Sequence, residues 1–181
     1  MVKGDHRKLK RWCIVGVFVV MAFATLWHFI YEWLPCGFMA VISPVNESPW
    51  EHVKLFLIPP LIWYIAVYFT AGRRYPNYVF AAAVTLVLMP ALMLALYGIY
   101  SQFMEETLPL DIVNSLVTIS FGMAVTYKLT VSNRRLHGPV FSILAVVIVV
   151  ALSVLYGLMA YYPPKVPLFL DMQTNEYGIP R

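Results

Sequence analysis

The stretch of sequence that decides the fold is residues 78–100, which read YVFAAAVTLVLMPALMLALYGIY. None of these 23 residues carries a charged side chain. About 20 consecutive, mainly apolar residues are enough for an α-helix to cross the hydrocarbon core of a lipid bilayer. The stretch therefore predicts a transmembrane helix.

Four further apolar runs of similar length lie at about residues 12–34, 53–71, 112–131 and 140–161. The five runs predict an all-α membrane protein, a bundle of five transmembrane helices that forms a single domain over residues 1–181, with residues 162–181 as a tail outside the cytoplasm. The composition agrees, because 61% of residues are hydrophobic and only 12% are charged, whereas soluble domains carry about 25% charged residues. We therefore expect the lipid bilayer to surround the chain.

The number of basic side chains alternates between high and low from one connecting segment to the next. The N-terminus and every second connecting segment after it, around residues 73–74 and 128–135, carry ten Lys and Arg residues and one acid, Asp5. The remaining segments and the tail carry three Lys and Arg residues and eight acids. Basic residues collect on the cytoplasmic side of membrane proteins. The pattern predicts a multi-pass protein of the cell (plasma) membrane with a cytoplasmic N-terminus and an external C-terminus. It also explains the net charge of +4 without a nucleic-acid partner.

Two ionisable residues lie at the end of the first run. His28 and Glu32 are four residues apart, so a continuous helix would place them on one face. Ionisable side chains at membrane depth usually face protein or water and have a function. Two interpretations stay open. The pair forms a hydrogen bond that only stabilises the bundle, or it belongs to a ligand, metal or proton-transfer site in which both residues are catalytic candidates.

The segment before the second run, residues 43–54, reads SPVNESPWEHVK. Its spacing predicts a helix start, with Ser48 as the N-cap, Pro49 as the first helical residue and Glu51 completing a capping box. Glu47 and His52 have no such structural explanation. They are therefore candidate ligands.

Further polar residues open the fourth run and close the chain. Asp111 is a candidate N-cap of the fourth helix as well as a candidate ligand, and Asn114 follows within the first turns of that helix. In the tail, Tyr177 is expected to fold back over the outer end of the bundle.

The predicted topology places the candidate ligands on one side of the membrane. Two histidines with several carboxylates form a composition that binds Zn²⁺ or another divalent ion, holds a proton or recognises a cationic ligand. The sequence contains no His-Glu-x-x-His, Gly-x-Ser-x-Gly or P-loop motif. The predicted ligand or metal residues are His28, Glu32, Glu47, His52 and Asp111, and the predicted helix caps or supporting residues are Ser48, Glu51, Asn114 and Tyr177.

Two resemblances follow from these residues. The string Pro44-Val-Asn-Glu-Ser-Pro-Trp-Glu-His52, with Tyr177-Gly178 near the end, resembles over nearly the full chain a family of small bacterial integral membrane proteins of unknown function. That resemblance implies no activity. The His28-x-x-x-Glu32 pair and the string Pro59-Pro-Leu-Ile-Trp63 are similar, over the first three runs, to the emopamil-binding, sterol-isomerase (EXPERA) membrane fold. That resemblance implies an intramembrane cavity in which acids bind a cationic ligand or transfer a proton.

Three functions compete at this point. The first is a membrane-embedded binding site or enzyme that uses a metal ion, zinc for example, or a proton on a small apolar or cationic ligand. The second is a structural or accessory membrane protein whose polar residues only cap and bridge helices. The third, a small transporter, is the least favoured, because no inverted repeat and no glycine-interrupted span is visible.

Overall fold

The computed structural model describes residues 6–134 and 138–180. Four of the charges used in the topology argument, Lys3, Asp5, Arg135 and Arg181, lie outside the described residues. The described part of the chain is all-helical, and five of its helical spans are long and apolar enough to cross a membrane, as predicted. The α-helices are α1 (His6–His28), α2 (Ile30–Trp33), α3 (Gly37–Ile42), α4 (Pro49–His52), α5 (Ile58–Thr70), α6 (Tyr78–Tyr100), α7 (Leu108–Thr130) and α8 (Pro139–Tyr161).

Three spans begin before the apolar run that predicted them. The first begins at His6, the second at Pro49 and the fourth at Leu108, rather than at residues 12, 53 and 112. Helix starts are built from polar and proline residues, which extend the helix beyond its apolar part. A count of apolar residues therefore misses the first turn.

The second span is interrupted. Helix α4 gives way to a 3₁₀ turn at Val53–Phe56, and α5 begins after Leu57. Pro59 and Pro60 lie in the first turn of α5, where the N–H group that proline lacks would have no helical partner in any case. The 3₁₀ turn and the prolines therefore separate the first part of this span, which carries His52, from its longer apolar part.

Helix α6 lies at the centre of the bundle and packs along α7 and α8, while α1 packs against α5 and α7. The close approach of α6 to α7 depends on Gly122, because a methyl group at this position would overlap the side chain of Met89. Nearby, the Thr126 hydroxyl lies 2.9 Å from both Tyr64 Oη and Thr85 Oγ1. Small and hydroxylated side chains of this kind hold membrane helices together.

Contacts between segments distant in sequence define two ends of the bundle. At one end, Tyr75 Oη lies 3.3 Å from Nδ1 of His6. At the other end, the Tyr161 hydroxyl donates to the carbonyl of Gly37. This second end also contains residue 28, the 43–52 segment, the α6–α7 connection and the tail. We call it the site end.

Candidate metal centre

Three side chains from three different segments meet at the site end. His28 is the last residue of α1, Glu47 lies in the connection between α3 and α4, and His52 is the last residue of α4. The two Nε2 atoms are 3.1 Å apart. Glu47 Oε2 lies 3.4 Å from Nε2 of His28 and 3.5 Å from Nε2 of His52. We call these three residues the His–Glu–His cluster.

The hydrogen bonds of His52 determine which of its nitrogens faces the cluster with a lone pair. Its Nδ1 lies 2.9 Å from the backbone carbonyl of Ser48. A carbonyl can only accept, so Nδ1 carries the proton and Nε2 of the neutral ring is left with a lone pair. That lone pair points to the side of His52 where Glu47 and His28 lie. The Ser48 carbonyl thus fixes the tautomer that metal binding requires.

The Glu47 carboxyl is held in its anionic form. A hydrogen bond from His28, and one from His52 whenever that ring carries both protons, lower its pKa well below the ordinary range, and they outweigh its partial burial, which acts in the opposite direction. When His52 is neutral, a carboxylate and an imidazole lone pair converge on one place. The Nε2–H of His28 can then lie between these two acceptors, 3.1 Å from His52 Nε2 and 3.4 Å from Glu47 Oε2, and a metal ion could take the place of that proton.

The distances within the cluster match those of a metal site. Tetrahedral ligands at about 2.0–2.1 Å from a zinc ion lie about 3.3–3.4 Å from one another, and the three distances here are 3.1, 3.4 and 3.5 Å. A point about 2.05 Å from all three atoms lies about 0.7 Å out of their plane, which is the displacement of a tetrahedral ion from the plane of three ligands. The three atoms are thus spaced as three ligands of a tetrahedral zinc ion would be.

His28 is anchored differently from His52. Its Nδ1 is buried and has no hydrogen-bond partner within the described residues. A zinc-bound histidine usually donates its second N–H to an anchor, so only His52 has the full set of supporting contacts. Packing against Phe29, whose ring centroid lies 5.1 Å from that of His28, holds the His28 ring instead.

A buried ion pair fixes the connection that carries Glu47. Lys54 Nζ donates to Glu51 Oε2 at 2.6 Å and to the carbonyls of Ala40 and Ser43 at 2.8 and 3.2 Å. Glu51 Oε2 also accepts from the backbone N–H of Val45 at 3.1 Å. The exposed fractions of the Lys54 and Glu51 side chains are 1% and 3%. Because the pair links α3 to the start of the second span, it sets the path of the chain on both sides of Glu47.

Asn46 ties the same connection to the tail. Its side-chain N–H donates to the Gly178 carbonyl at 2.7 Å, and its side-chain oxygen accepts from the backbone N–H of Ser48 at 2.9 Å. Gly178 has a φ of +73°, a left-handed conformation that favours glycine. Phe169 of the tail packs on Trp50 with ring centroids 4.5 Å apart. The tail therefore lies over the site end.

Beside the cluster lies a cavity of about 370 Å³. Glu47 and His52 reach it from one side, and Asp111 and Asn114 of α7 reach it from the other. Its remaining walls come from the second and third spans, the α6–α7 connection and the tail. None of its lining residues belongs to the first span.

The structure separates the five residues predicted as ligands. His28, Glu47 and His52 come together. Among the described His, Cys, Asp and Glu residues, these three have ligand atoms close enough to one another to hold a metal ion. Glu32 is exposed and is not in this group, because α1 ends at His28 and α2 begins only at Ile30. The residue pair behind the likeness to the sterol-isomerase fold is therefore not brought together. Asp111 lies across the cavity, where its Oδ1 accepts from the Tyr100 hydroxyl at 2.5 Å.

Two predicted helix caps are corrected. Ser48 is the N-cap of α4 and accepts from Glu51 N–H at 3.4 Å. The Glu51 side chain, however, bonds to Val45 and Lys54 rather than back to Ser48, so the capping box is half formed. Asp111 is not an N-cap, because α7 begins at Leu108, after Thr107. Pro109 lies in the first turn of α7, and the helix starts four residues earlier than predicted.

Other predicted supporting residues lie as follows. The Asn114 side chain donates to the carbonyl of Met93 at 3.2 Å and accepts from the Thr118 hydroxyl at 3.3 Å, so it bridges α7 and α6. Tyr177 pairs with Leu170 in an isolated β-bridge that closes the turn of the tail. The role of Lys54 was not predicted from the sequence, where this residue was only counted among the basic side chains of the connecting segments. A lysine inside the first turns of an apolar span was the signal that could have identified it.

The chain belongs to a family of unknown function, DUF6512, whose model matches residues 1–179. Membership of an uncharacterised family, expected from the sequence, is thereby confirmed. No curated protein and no solved structure matches the chain. The likeness to the sterol-isomerase fold stays a prediction.

Proposed function

We propose that this protein binds a divalent transition-metal ion, zinc above all, at His28, Glu47 and His52. The observation that carries the proposal is the convergence of two imidazole nitrogens and one carboxylate oxygen at 3.1–3.5 Å from one another. Two His and one carboxylate are a frequent ligand set for zinc. Two ligands come from helix ends and one from a connection held by a buried ion pair, so the set is preformed.

The choice of metal follows from the ligands. Imidazole suits zinc, copper, iron and nickel, whereas magnesium and calcium prefer sites made of oxygen ligands alone. The near-tetrahedral arrangement favours zinc over copper(II), which prefers a square-planar or tetragonal site. The bound ion, together with the Glu47 carboxylate, would leave the cluster with one net positive charge.

We place the site end outside the cytoplasm and the protein in the plasma membrane. The support is the charge pattern, since the described Arg73, Arg74 and Lys128 lie at the opposite end of the bundle and basic residues collect on the cytoplasmic side. The acids of the cavity, Glu106 and Asp111, then lie on the external side. A metal ion would reach the cluster from the extracytoplasmic solution.

Elemental analysis of the purified protein tests the proposal. After loading with zinc and dialysis in detergent, we expect one zinc per chain for the wild type and loss of most of it for His28→Ala and for His52→Ala. His6→Ala is the matched control, because His6 lies on the same helix at the opposite end. Glu32→Gln is the second control and should also keep its zinc.

Cobalt(II) gives an independent readout, because a tetrahedral cobalt site absorbs visible light far more strongly than hydrated cobalt. We expect this absorption in the wild type and its loss in Glu47→Gln. A wild-type protein that holds no metal after loading, or a His28→Ala variant with the wild-type metal content, would disprove the site. The cluster would then be read as a structural link between the first and second spans.

A further inference from the structure

The cluster supplies three ligands rather than four. Structural zinc sites are usually closed by four protein ligands, whereas catalytic sites have three and leave the fourth position to water or substrate. Within the described residues the group consists of His28, Glu47 and His52 alone. Two of these three residues also line the 370 Å³ cavity. The fourth position of a bound ion therefore opens towards a space large enough for part of a ligand.

The charged residues of the cavity select the ligand. The carboxylates that line it belong to Glu47, Glu106 and Asp111, and no Lys or Arg occurs among its lining residues. With a zinc ion bound, the two positive charges of the ion and the three carboxylates still leave a net formal charge of −1 in the cavity. An anionic group such as a phosphate is therefore disfavoured there relative to a neutral or cationic group. The apolar part of the wall consists of Pro49, Phe56, Met93, Leu108 and Met172. The lining therefore suits an amphiphile whose polar part carries no negative charge.

One exposed edge of the cavity lies where the α6–α7 connection meets α7. Thr107 and Leu108 line the cavity and are themselves exposed, and Leu108 is 72% exposed. In the same connection the exposed fraction of Phe103 is 83% and that of Met104 is 54%. Large apolar side chains at the end of a membrane span sit in the interfacial region of the bilayer. A ligand that enters past them comes from the membrane surface.

We propose, building on the zinc site proposed above, that the protein hydrolyses a neutral or cationic carboxylic ester or amide of a membrane amphiphile in this cavity. Zinc lowers the pKa of a bound water to about 7 and so supplies a hydroxide at neutral pH. The hydroxide oxygen forms a bond to the carbonyl carbon, and the bond from that carbon to the leaving oxygen or nitrogen breaks. The products are a carboxylic acid and an alcohol or amine, with no other reactant than water.

The proton of the attacking water needs a carrier between water and leaving group. We assign this role to Asp111, which lines the cavity opposite the cluster. The Tyr100 hydroxyl holds its Oδ1 at 2.5 Å, so Oδ2 is the oxygen that takes the proton and then gives it to the leaving atom. The carboxylic acid product ionises and is then repelled by the carboxylates of the cavity, which favours its release.

Hydrolysis of matched fluorogenic esters by the zinc-loaded protein in detergent tests the inference. The probes are 4-methylumbelliferyl octanoate and two analogues that end in a trimethylammonium group or in a carboxylate, with the octanoyl amide of 7-amino-4-methylcoumarin as the amide probe. We expect the neutral and cationic esters to react at least about ten-fold faster than the anionic one, since about 1.4 kcal/mol of repulsion is ten-fold in rate. His52→Ala should lose zinc and hydrolysis together.

Asp111→Asn separates proton transfer from metal binding. We expect it to keep one zinc per chain and to lose about 100-fold in kcat, the lower range for general acid–base catalysis, with a loss of the corresponding limb of the pH profile. Glu105→Gln is the matched control, because Glu105 is a carboxylate of the adjacent α6–α7 connection that does not line the cavity. It should retain the wild-type rate.

The zinc content of the same samples separates the possible failures. One zinc per chain with no hydrolysis of any probe would overturn the inference and leave the metal site standing, whereas absence of zinc would overturn both. Equal rates for the cationic and anionic esters would overturn the assigned substrate class. A wild-type pH profile in Asp111→Asn would remove Asp111 from the mechanism.

Discussion

Replacing Lys54 by Met should destabilise the protein and weaken its metal site together. The Lys54 ammonium uses all three of its N–H groups, on Glu51 and on the carbonyls of Ala40 and Ser43. Methionine has a similar length but leaves the Glu51 carboxylate buried without its cation. Removal of one partner of a buried pair costs about 3–5 kcal/mol. For a chain of this size that corresponds to a decrease in Tm of roughly 6–20 °C.

The effect on metal binding follows from the position of the pair. The Lys54→Met change frees the ends of the connection that carries Glu47, so the carboxylate has to be ordered when the metal binds. Loss of such supporting contacts typically lowers metal affinity by about 10–100-fold. Thermal unfolding in detergent, followed by tryptophan fluorescence, and zinc titration against a competing chelator measure the two effects.

Two further variants make this prediction decisive. Lys165→Met is the matched control, since Lys165 is exposed at the same end of the bundle, and it should leave both Tm and zinc affinity unchanged. In the double variant Lys54→Met/Glu51→Gln no charge is left buried, so much of the lost stability should return. A Lys54→Met Tm within one or two degrees of the wild type, or a double variant less stable than the single one, would refute the argument.

Three shorter predictions concern pH, the tail and the topology. The zinc content should fall as the pH is lowered, because protons compete with the metal ion for its ligand atoms; a zinc content that does not change on acidification would contradict binding through two histidines. Asn46→Ala removes the hydrogen bond to Gly178, so trypsin should cut after Lys165 several-fold faster, and an unchanged rate would show that other contacts hold the tail. Cys36, exposed at the site end, should react with a membrane-impermeant maleimide on intact cells, and the Cys36→Ala variant should not be labelled. Labelling of Cys36 only after permeabilisation would place the site end in the cytoplasm.

The helices were predictable because crossing a bilayer imposes a strict minimum on the length of an apolar run. Helix α6 shows this, since nothing but its own 23 apolar and weakly polar residues was needed to identify it. Polar helix ends are less constrained, and Asp111 was therefore placed at the start of α7 although that helix begins at Leu108. The signal for the start was Pro109, which favours the first turn of a helix.

The candidate site was predictable in part. The predicted topology places the candidate ligands at one end of the bundle, and this is how His28, Glu47 and His52 entered the predicted set. Which members of that set touch depends on local backbone geometry that spacing does not reveal. Glu32 is four residues after His28, yet α1 ends at His28 and α2 begins at Ile30, and Glu32 is exposed and lies outside the group that His28 forms with Glu47 and His52. The two backbone partners of Lys54, Ala40 and Ser43, lie in and directly after α3, a six-residue helix too short to give a periodic pattern.

Whether the cluster is a structural joint or a metal site depends on what lies between its three atoms. The link between α3 and the second span does not need the cluster, because Lys54 and Glu51 satisfy each other and three backbone groups. Without a metal ion, a proton on His28 Nε2 can lie between the His52 lone pair, 3.1 Å away, and Glu47 Oε2, 3.4 Å away, and so join the first span to the second. A metal ion would replace that proton and bind all three atoms. The zinc measurement distinguishes these two states of the cluster.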